Sequence, residues 1–146
     1  MSERYADARV RKVVEFFEGL RVEDLPRLAE LYAGDAQFKD PFNEVRGVAE
    51  IHAVFAHMFR SLERPRFLIR EAVTQGDQCF LSWEFVFTMK PGARTESTIR
   101  GASHLHFDRD GLIDVHRDYW DAAEELYEKV PLLGALMRWL KRRVNA

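Results

Sequence analysis

The sequence lacks the features that mark disulfide-rich, membrane-spanning and nucleic-acid-binding proteins. Cys79 is the single cysteine among 146 residues, which excludes an intramolecular disulfide and a cysteine-rich metal site. The apolar runs are only a few residues long, whereas a helix that crosses a bilayer needs roughly 20. The formal net charge of -2 provides no excess of cations for a phosphate backbone. We therefore expect no nucleic-acid partner and no stable membrane insertion.

The remaining composition favours a small globular protein. No apolar stretch follows the charged N-terminal residues, so we expect no signal peptide and a cytoplasmic location. Hydrophobic residues make up 47% of the chain and charged residues 32%, and the length suits one domain, residues 1–146. The 11 phenylalanines suit either a filled aromatic core or a fold whose rings wall a cavity. Composition leaves both open.

Apolar spacing in the first half predicts three helices, at residues 5–19, 24–34 and 47–65. Asp24 can cap the second helix and Gly34 can end it, with a short extended segment at residues 36–39 before the third. The apolar faces are formed by Val10, Val13, Val14, Phe17 and Leu20, by Leu25, Leu28, Leu31 and Tyr32, and by Ile51, Phe55, Met58 and Leu62.

The second half changes to a period of two, which predicts strands. Large apolar side chains occur at every second position, at Leu81, Trp83, Phe85 and Phe87, and smaller or polar ones lie between them. Turn signals lie on either side, at Gly76-Asp77 and Pro91-Gly92, and Asp110-Gly111 predicts a hairpin. Helices followed by strands indicate an α+β fold with the helices packed on one face of an antiparallel sheet.

A two-residue loop at Asp110-Gly111 would fix which residues face each other across the hairpin. The pairs expected on one face are Ser103 with Asp118, Leu105 with His116, and Phe107 with Asp114. His104 and His106 then lie on the opposite face. Because the histidines do not converge, we expect no metal site.

Asp40 is the first candidate for chemistry, and it has two interpretations. Pro41 restricts Asp40 to extended geometry, and burial beside Phe38 and Phe42 would desolvate the carboxylate and improve it as a base. Alternatively, Asp-Pro simply initiates a turn.

The last predicted strand carries the second group of candidates. His116, Asp118 and Trp120 alternate along it and so share a face. That face is either exposed to solvent or lines a pocket in which Trp120 is the apolar wall. In a pocket, an ionised Asp118 beside His116 would form a general acid–base pair.

An apolar helical stripe near the C-terminus is bordered by Arg138, Lys141, Arg142 and Arg143. It consists of Leu132, Leu133, Leu136, Met137, Leu140 and Val144. Basic amphipathic helices can lie on membranes, but such a stripe more often packs on its own domain or on a partner chain, and we favour packing.

With these elements in place, the chain resembles the nuclear transport factor 2-like cone of ketosteroid isomerases and SnoaL-like polyketide cyclases. The similarity extends to about Trp120. It rests on the run from Tyr32-Ala33 to Asp40-Pro41-Phe42, on the hairpin at residues 107–111, and on Tyr119-Trp120. It implies a curved antiparallel sheet with three N-terminal helices packed on it, and the C-terminal helix is an addition to the ketosteroid isomerase pattern.

The resemblance to ketosteroid isomerases implies that Asp40 is the base. Their oxyanion hole is not matched, because its tyrosine corresponds to Phe16 or Phe17 and its protonated aspartate to Ser103. The supporting tyrosine aligns with Phe55, which leaves only Tyr32. Since one oxyanion donor is worth roughly 3–4 kcal/mol, we do not expect the usual steroid isomerisation.

SnoaL-like cyclases imply a different assignment. They place an acid–base aspartate on a late strand that faces the cavity, which matches Asp118 with His116 beside it. They also place Trp120 inside the cavity, which favours the pocket interpretation of that face.

The predicted function is acid–base proton transfer, isomerase- or cyclase-like, on a largely apolar small molecule. We expect Asp118, Asp40 and His116 to be the catalytic groups, with no metal or other cofactor. The expected ligand-binding residues are Phe17, Tyr32, Phe55, Trp83, Phe85, Ser103 and Trp120. Two alternatives are a non-catalytic binding domain for hydrophobic ligands and a dimerisation module.

The family also implies a homodimer through the convex sheet face, which would include Val86, His104, His106, Val115 and Arg117.

Overall fold

The computed structural model describes residues 5–89, 96–125, 139–140 and 142–144. It has the α+β class expected from the sequence. In chain order the elements are α1 (Ala8–Glu18), a 3₁₀ helix (Val22–Glu30), β1 (Tyr32–Lys39), β2 (Glu44–Arg46), α2 (Val48–Ser61), β3 (Leu62–Gln75), β4 (Gln78–Met89), β5 (Glu96–Phe107), β6 (Ile113–Tyr119) and α3 (Ala122–Glu125). The turn predicted at Pro91-Gly92 and most of the predicted C-terminal helix lie outside the described residues.

Helix α1 confirms the first predicted helix. The Asp7 side chain caps it by accepting a hydrogen bond of 2.8 Å from the backbone amide of Arg9. Gly19 ends it, and the side chains of Val10, Val13, Val14 and Phe17 are buried against the sheet side of the molecule. Local periodicity was sufficient to predict this helix because the helix is amphipathic and its apolar face packs in the core.

The second predicted helix is wrong in type and in length. A 3₁₀ helix ends at Glu30, and Tyr32 begins β1, so Gly34 lies within a strand instead of ending a helix. Pro26 lacks an amide donor, which weakens a regular α-helix at this point. The amide of Ile113 in β6 then bonds the carbonyl of Leu31 at 2.9 Å, which draws the chain into the sheet.

The third predicted helix is confirmed, but it is shorter than expected. It begins after Gly47, whose φ of 95° favours glycine, and it ends at Ser61. Leu62 already pairs with Met89 in the sheet, and Pro65 lies inside β3. Pairing with β4 therefore ends the helix before the proline is reached.

The six strands form one mixed sheet in the order β2-β1-β6-β5-β4-β3. The prediction of a wholly antiparallel sheet is wrong at one pair, because β1 runs parallel to β6. Helix α2 and the two long hairpins lie between these strands in the sequence, so no local turn signals their pairing. This parallel pair places Phe38 beside His116 and Tyr32 beside Ile113.

The β5–β6 hairpin confirms most of the predicted register. Ser103 faces Asp118 and Leu105 faces His116, but Phe107 pairs with Ile113 and not with Asp114. The loop is longer than two residues because the Asp108 carboxylate accepts from the amides of Asp110 and Leu112, at 2.8 and 3.0 Å. A bulge at Asp114 restores the expected pairing beyond the loop.

The face of the sheet opposite the helices carries His104 and His106, as expected. Phe80 is 51% exposed and stacks on His104 with ring centroids 4.4 Å apart. Val86, by contrast, is 7% exposed, so it is not available for the interface in which we expected it. Among the residues described, no helix has the length and hydropathy needed to cross a membrane.

Dimerisation through this face stays a prediction, and sedimentation velocity at micromolar concentration tests it. We expect a dimer for the wild type and a monomer for Phe80→Asp, because a charge at an apolar interface centre opposes association. Val22→Asp is the control, since Val22 is 50% exposed but lies on the 3₁₀ helix. A wild-type monomer at these concentrations contradicts the prediction.

Candidate active site

Two adjacent cavities lie between the helices and the sheet. The larger, outer cavity has a volume of about 360 Å³ and the inner one about 30 Å³. Phe55, Phe67, Trp83 and Asp118 contribute to the walls of both. The inner cavity has room for a water molecule, and the outer one has room for a small organic molecule.

Aromatic rings form a large part of the wall of the outer cavity. They belong to Phe38, Phe42, Phe55, Phe67, Trp83, Phe85, Phe87 and Trp120. Phe67 stacks on Phe85 at a centroid distance of 4.7 Å, and Phe42 meets Trp120 edge-on at 5.6 Å. The polar side chains in this wall are Asp40, Asn43, His57, Ser61 and Asp118. The cavity is thus apolar with a few hydrogen-bonding groups.

A continuous chain of hydrogen bonds joins five side chains from four strands. Oδ1 of Asp118 accepts from Ser103 Oγ at 2.5 Å and contacts His116 Nε2 at 2.7 Å. The indole Nε1 of Trp83 donates to Ser103 Oγ at 2.8 Å. On the other side, the hydroxyl of Tyr32 lies 2.7 Å from His116 Nδ1. Strands β1, β4, β5 and β6 therefore all position Asp118.

The chemistry of the donors assigns the direction of these bonds. The indole N–H can only donate, so the Ser103 hydroxyl accepts from it and gives its own hydrogen to Asp118. Burial, and secondarily the charge of Asp118, raise the pKa of Tyr32 well above its ordinary value of 10.0. The phenol thus keeps its proton and is hydrogen-bonded to Nδ1 of His116. Because an ionised carboxylate can only accept, we assign a hydrogen to Nε2 of His116, where it is donated to Asp118.

The second carboxylate oxygen of Asp118 differs from the first. Within the described part of the chain, no side chain or amide donates a hydrogen bond to Oδ2. The Asp118 side chain keeps 17% of its surface exposed, and it lines both cavities. One oxygen is therefore fixed by the protein, while the other is free to contact a molecule in the cavity.

Asp40 is also in the wall of the outer cavity, but its carboxylate accepts hydrogen bonds from the turn that follows it. Oδ1 accepts from the amides of Phe42 and Asn43 at 2.8 and 2.7 Å, and the Asn43 side chain contacts both oxygens at 3.1 Å. This is the geometry of the turn-initiating interpretation. The role of Asp40 as a base stays a prediction.

The structure brings nearly all of the predicted site residues to the cavities. Phe17, Ser103 and His116 line the inner cavity, while Asp40, Phe85 and Trp120 line the outer one. Phe55, Trp83 and Asp118 line both. Tyr32 is the exception, because it is fully buried behind His116 and lines neither cavity.

The sequence analysis missed Phe67, which lines both cavities. It lies in β3, immediately after the segment assigned to the third helix. The alternation of Phe67 and Ile69 after Pro65 is a weak strand signal that could have revealed it. Within the described residues, no three His, Cys, Asp or Glu side chains lie close enough to hold a metal ion.

Comparison with protein families places this chain in a family. The model of the SnoaL-like domain matches residues 13–116, which is more than half of the chain. The chain belongs to the SnoaL-like family. The matched segment contains Tyr32, Asp40, Trp83, Ser103 and His116 and ends two residues before Asp118. A comparison with curated proteins finds no significant match.

Solved structures share the fold of this SnoaL-like protein at low sequence identity. TsrD from Streptomyces laurentii has a TM-score of 0.72 and 20% identity, over 90% of this chain and 98% of its own. A protein with a ketosteroid isomerase-like fold from Catenulispora acidiphila, in complex with trimethylamine, has a TM-score of 0.71 and 21% identity, over 84% of this chain and 92% of its own. An LEH-like epoxide hydrolase from M. tuberculosis has a TM-score of 0.68 and 19% identity, over 88% and 93%.

Tyr32 makes the stability of this SnoaL-like protein sensitive to alkali. Because the pKa of Tyr32 is raised on folding, the unfolded chain releases the phenol proton first, so stability is lost as pH rises above 10.0. We expect the unfolding free energy to fall by up to about 1.4 kcal/mol per pH unit from this group. The unfolding free energy of Tyr32→Phe, measured in urea, should depend less on pH than that of the wild type between about pH 8 and pH 11. Identical slopes would contradict this role of Tyr32.

Proposed function

We propose that this SnoaL-like protein is an enzyme that transfers protons on a largely apolar small molecule in the outer cavity. Asp118 is the acid–base group. The observation that carries the proposal is the asymmetry of its carboxylate, in which Oδ1 is fixed by two donors while Oδ2 is free beside aromatic walls. A fixed, partly desolvated carboxylate facing a cavity is the arrangement that general base catalysis requires.

In the proposed reaction, Oδ2 of Asp118 takes a proton from a C–H bond of the ligand. The electron pair of that bond moves into a neighbouring unsaturated group, and Asp118 becomes a neutral acid. It then returns the proton to a different atom, which shifts the double bond. His116 and Ser103 are positioning residues in this scheme, because their hydrogen bonds hold Oδ1 and aim Oδ2 at the ligand.

The steroid-type variant of this reaction is not part of the proposal. It would place negative charge on a ligand oxygen, which needs hydrogen-bond donors nearby. The hydrogens of Trp83 and Ser103 are already donated to protein acceptors, and the hydroxyl of Tyr32 is engaged with His116. The positions of the isomerase donors are occupied by Phe16, Phe55 and Ser103.

Two further observations support small-molecule catalysis and one favours its alternative. The LEH-like epoxide hydrolase from M. tuberculosis shares this fold, so the fold accommodates enzymes. The polar chain beneath the cavity joins five side chains, which is more than a passive wall requires. In contrast, the predominantly apolar lining would also suit a non-catalytic domain that holds hydrophobic ligands.

Proton exchange with solvent tests the proposal on any compound that fits the cavity and has an acidic C–H bond. Wild-type protein is incubated in D₂O with apolar carbon acids, both neutral ketones such as 4-phenyl-2-butanone and cations such as 1-benzyl-4-methylpyridinium. NMR then follows the loss of C–H signals. We expect protein-dependent deuterium incorporation in at least one compound. Ligands that bind in the cavity without any exchange would support the binding module and overturn the enzyme.

A further inference from the structure

We propose that the ligand of the outer cavity is an organic cation, with an apolar body and an iminium or pyridinium nitrogen. This inference names the substrate class of the proposed function and rests on it. Three features of the cavity determine which sign of charge a ligand can carry there. They are the residues of its walls, the free carboxylate oxygen of Asp118, and the hydrogen-bond donors that are already engaged.

The charged side chains of the cavity walls have one sign. Across both cavities, the described lining residues include the carboxylates of Asp40 and Asp118 but no lysine or arginine. The charge of Asp40 is offset by the amides of its own turn. Oδ2 of Asp118 is not offset in this way. An anionic ligand would meet this oxygen unscreened, whereas a cation would pair with it.

The nearest cations on the same strands point away from the cavity. Lys39 follows Phe38 in β1, and Arg117 follows His116 in β6, so each side chain lies on the opposite face of the sheet. Lys39 forms a salt bridge with Glu44 at 3.2 Å. Arg117 stacks over the ring of Tyr119, 4.9 Å from its centroid. Both side chains line a separate pocket that Asp40, Asp118 and Trp120 also border. Neither belongs to the wall of the outer cavity, so neither supplies a positive charge there.

The aromatic walls attract positive charge as well. The face of an aromatic ring is electron-rich, and tryptophan binds a cation best. Trp83 and Trp120 line the same cavity as Asp118, together with six phenylalanine rings. A cation in this cavity loses water on binding but gains ring faces and a carboxylate oxygen, whereas a neutral hydrocarbon gains apolar contact alone.

The floor of the cavity offers almost nothing to a negative charge. Nε1 of Trp83 donates to Ser103, and the Ser103 hydroxyl donates to Asp118. The Nε2 hydrogen of His116 is directed to the same carboxylate. The outer wall also holds His57 and Ser61 of α2, which contact each other at 3.3 Å. An enzyme that makes an anion from a neutral ligand beside Asp118 would need one of the donors on the floor to be free.

A cationic substrate removes that difficulty from the proposed reaction. When Asp118 takes a proton from the carbon next to an iminium or pyridinium group, the C–H electron pair forms a carbon–carbon double bond. The C=N electron pair moves onto nitrogen, which becomes neutral, and Asp118 becomes a neutral carboxylic acid. One positive and one negative charge disappear together, so no oxyanion hole is needed. The engaged donors of the floor disfavour a neutral substrate, whereas the free oxygen of Asp118 and the ring faces suit a cationic one.

Binding of two ligands with the same shape and different charge tests the inference. The probes are benzyltrimethylammonium and neopentylbenzene, in which a quaternary carbon replaces the nitrogen, with phenylacetate as an anion. Quenching of tryptophan fluorescence measures their affinities. We expect the cation to bind at least about tenfold more tightly than the hydrocarbon, which corresponds to about 1.4 kcal/mol. Phenylacetate should bind weakest.

Two matched variants locate the effect. Asp118→Asn keeps the shape of the side chain but removes its charge, so the preference for the cation should shrink several-fold. Asp114→Asn makes the same substitution on the same strand, where the side chain contacts His106 on the other face of the sheet, and it should keep the full preference. Equal affinity for cation and hydrocarbon, or a preference unchanged in Asp118→Asn, would overturn the inference.

This test is separate from the test of the enzyme. Benzyltrimethylammonium binds as a cation without having to react, so its affinity does not depend on turnover. Preferential binding of the cation without deuterium incorporation in any compound would retain the inference and refute the proposed enzyme. Exchange in neutral ketones alone, with no preference for cations, would retain the enzyme and refute the inference.

Discussion

Asp118→Asn is expected to lower the rate of protein-dependent deuterium incorporation by on the order of a hundredfold or more, the usual contribution of a positioned acid–base group. Asparagine fills the same space and can still meet the hydrogen bond from Ser103, but its amide is not a base. The fold should therefore survive while the proton acceptor is lost. Equal unfolding midpoints for variant and wild type in urea would show that the loss is chemical.

Two comparisons sharpen this result. Asp114→Asn, on the same strand but outside both cavities, should keep the wild-type rate. Asp40→Asn should reduce the rate less than Asp118→Asn, because the carboxylate of Asp40 is engaged by the amides of Phe42 and Asn43. If Asp40→Asn abolishes exchange while Asp118→Asn keeps it, the base is the one that ketosteroid isomerases use.

Gly101→Ala is expected to destabilise the fold by about 1–3 kcal/mol, the usual cost of overpacking a core. A Cβ at this position would lie 2.5 Å from Cη2 and 2.7 Å from Cζ2 of the Trp83 indole. The indole has little freedom to move away, because it is 6% exposed, its Nε1 is bonded to Ser103, and Phe67 packs edge-on against it. The clash should therefore shift the backbone or break the Trp83–Ser103 bond.

Urea unfolding of three variants checks this prediction. Gly34→Ala is the control, since nothing lies within 4 Å of the added Cβ in β1, and it should change stability little. The double variant Gly101→Ala/Trp83→Leu should cost less than the sum of the two single changes, because the smaller side chain relieves the clash. Strict additivity, or a Gly101→Ala variant as stable as Gly34→Ala, would contradict this account.

The sequence by itself determined the parts of the fold that local periodicity controls. The apolar face of α1 and the alternation of β4 each need only a few neighbouring residues to be recognised. The pairing of Ser103 with Asp118 followed from one turn and the period of a strand, and it held despite a bulge near the loop. The absence of the isomerase donors followed from the resemblance to ketosteroid isomerases, which aligns those donors with Phe16 or Phe17, Phe55 and Ser103.

The tertiary structure alone decided the element to which Tyr32 belongs and the hydrogen bonds that Asp40 accepts. Periodicity left open which face of β6 meets the cavity, and the family resemblance favoured the face that the structure shows. Tyr32 looked helical because its apolar spacing continues that of Leu25 and Leu28, but long-range pairing with β6 outweighs so weak a local preference. That parallel pairing places its hydroxyl on His116, a contact between residues 84 positions apart. Trp83 reaches Ser103 because Gly101 on the neighbouring strand lacks a side chain. Contacts of this kind depend on strands that are distant in sequence, so local patterns cannot reveal them.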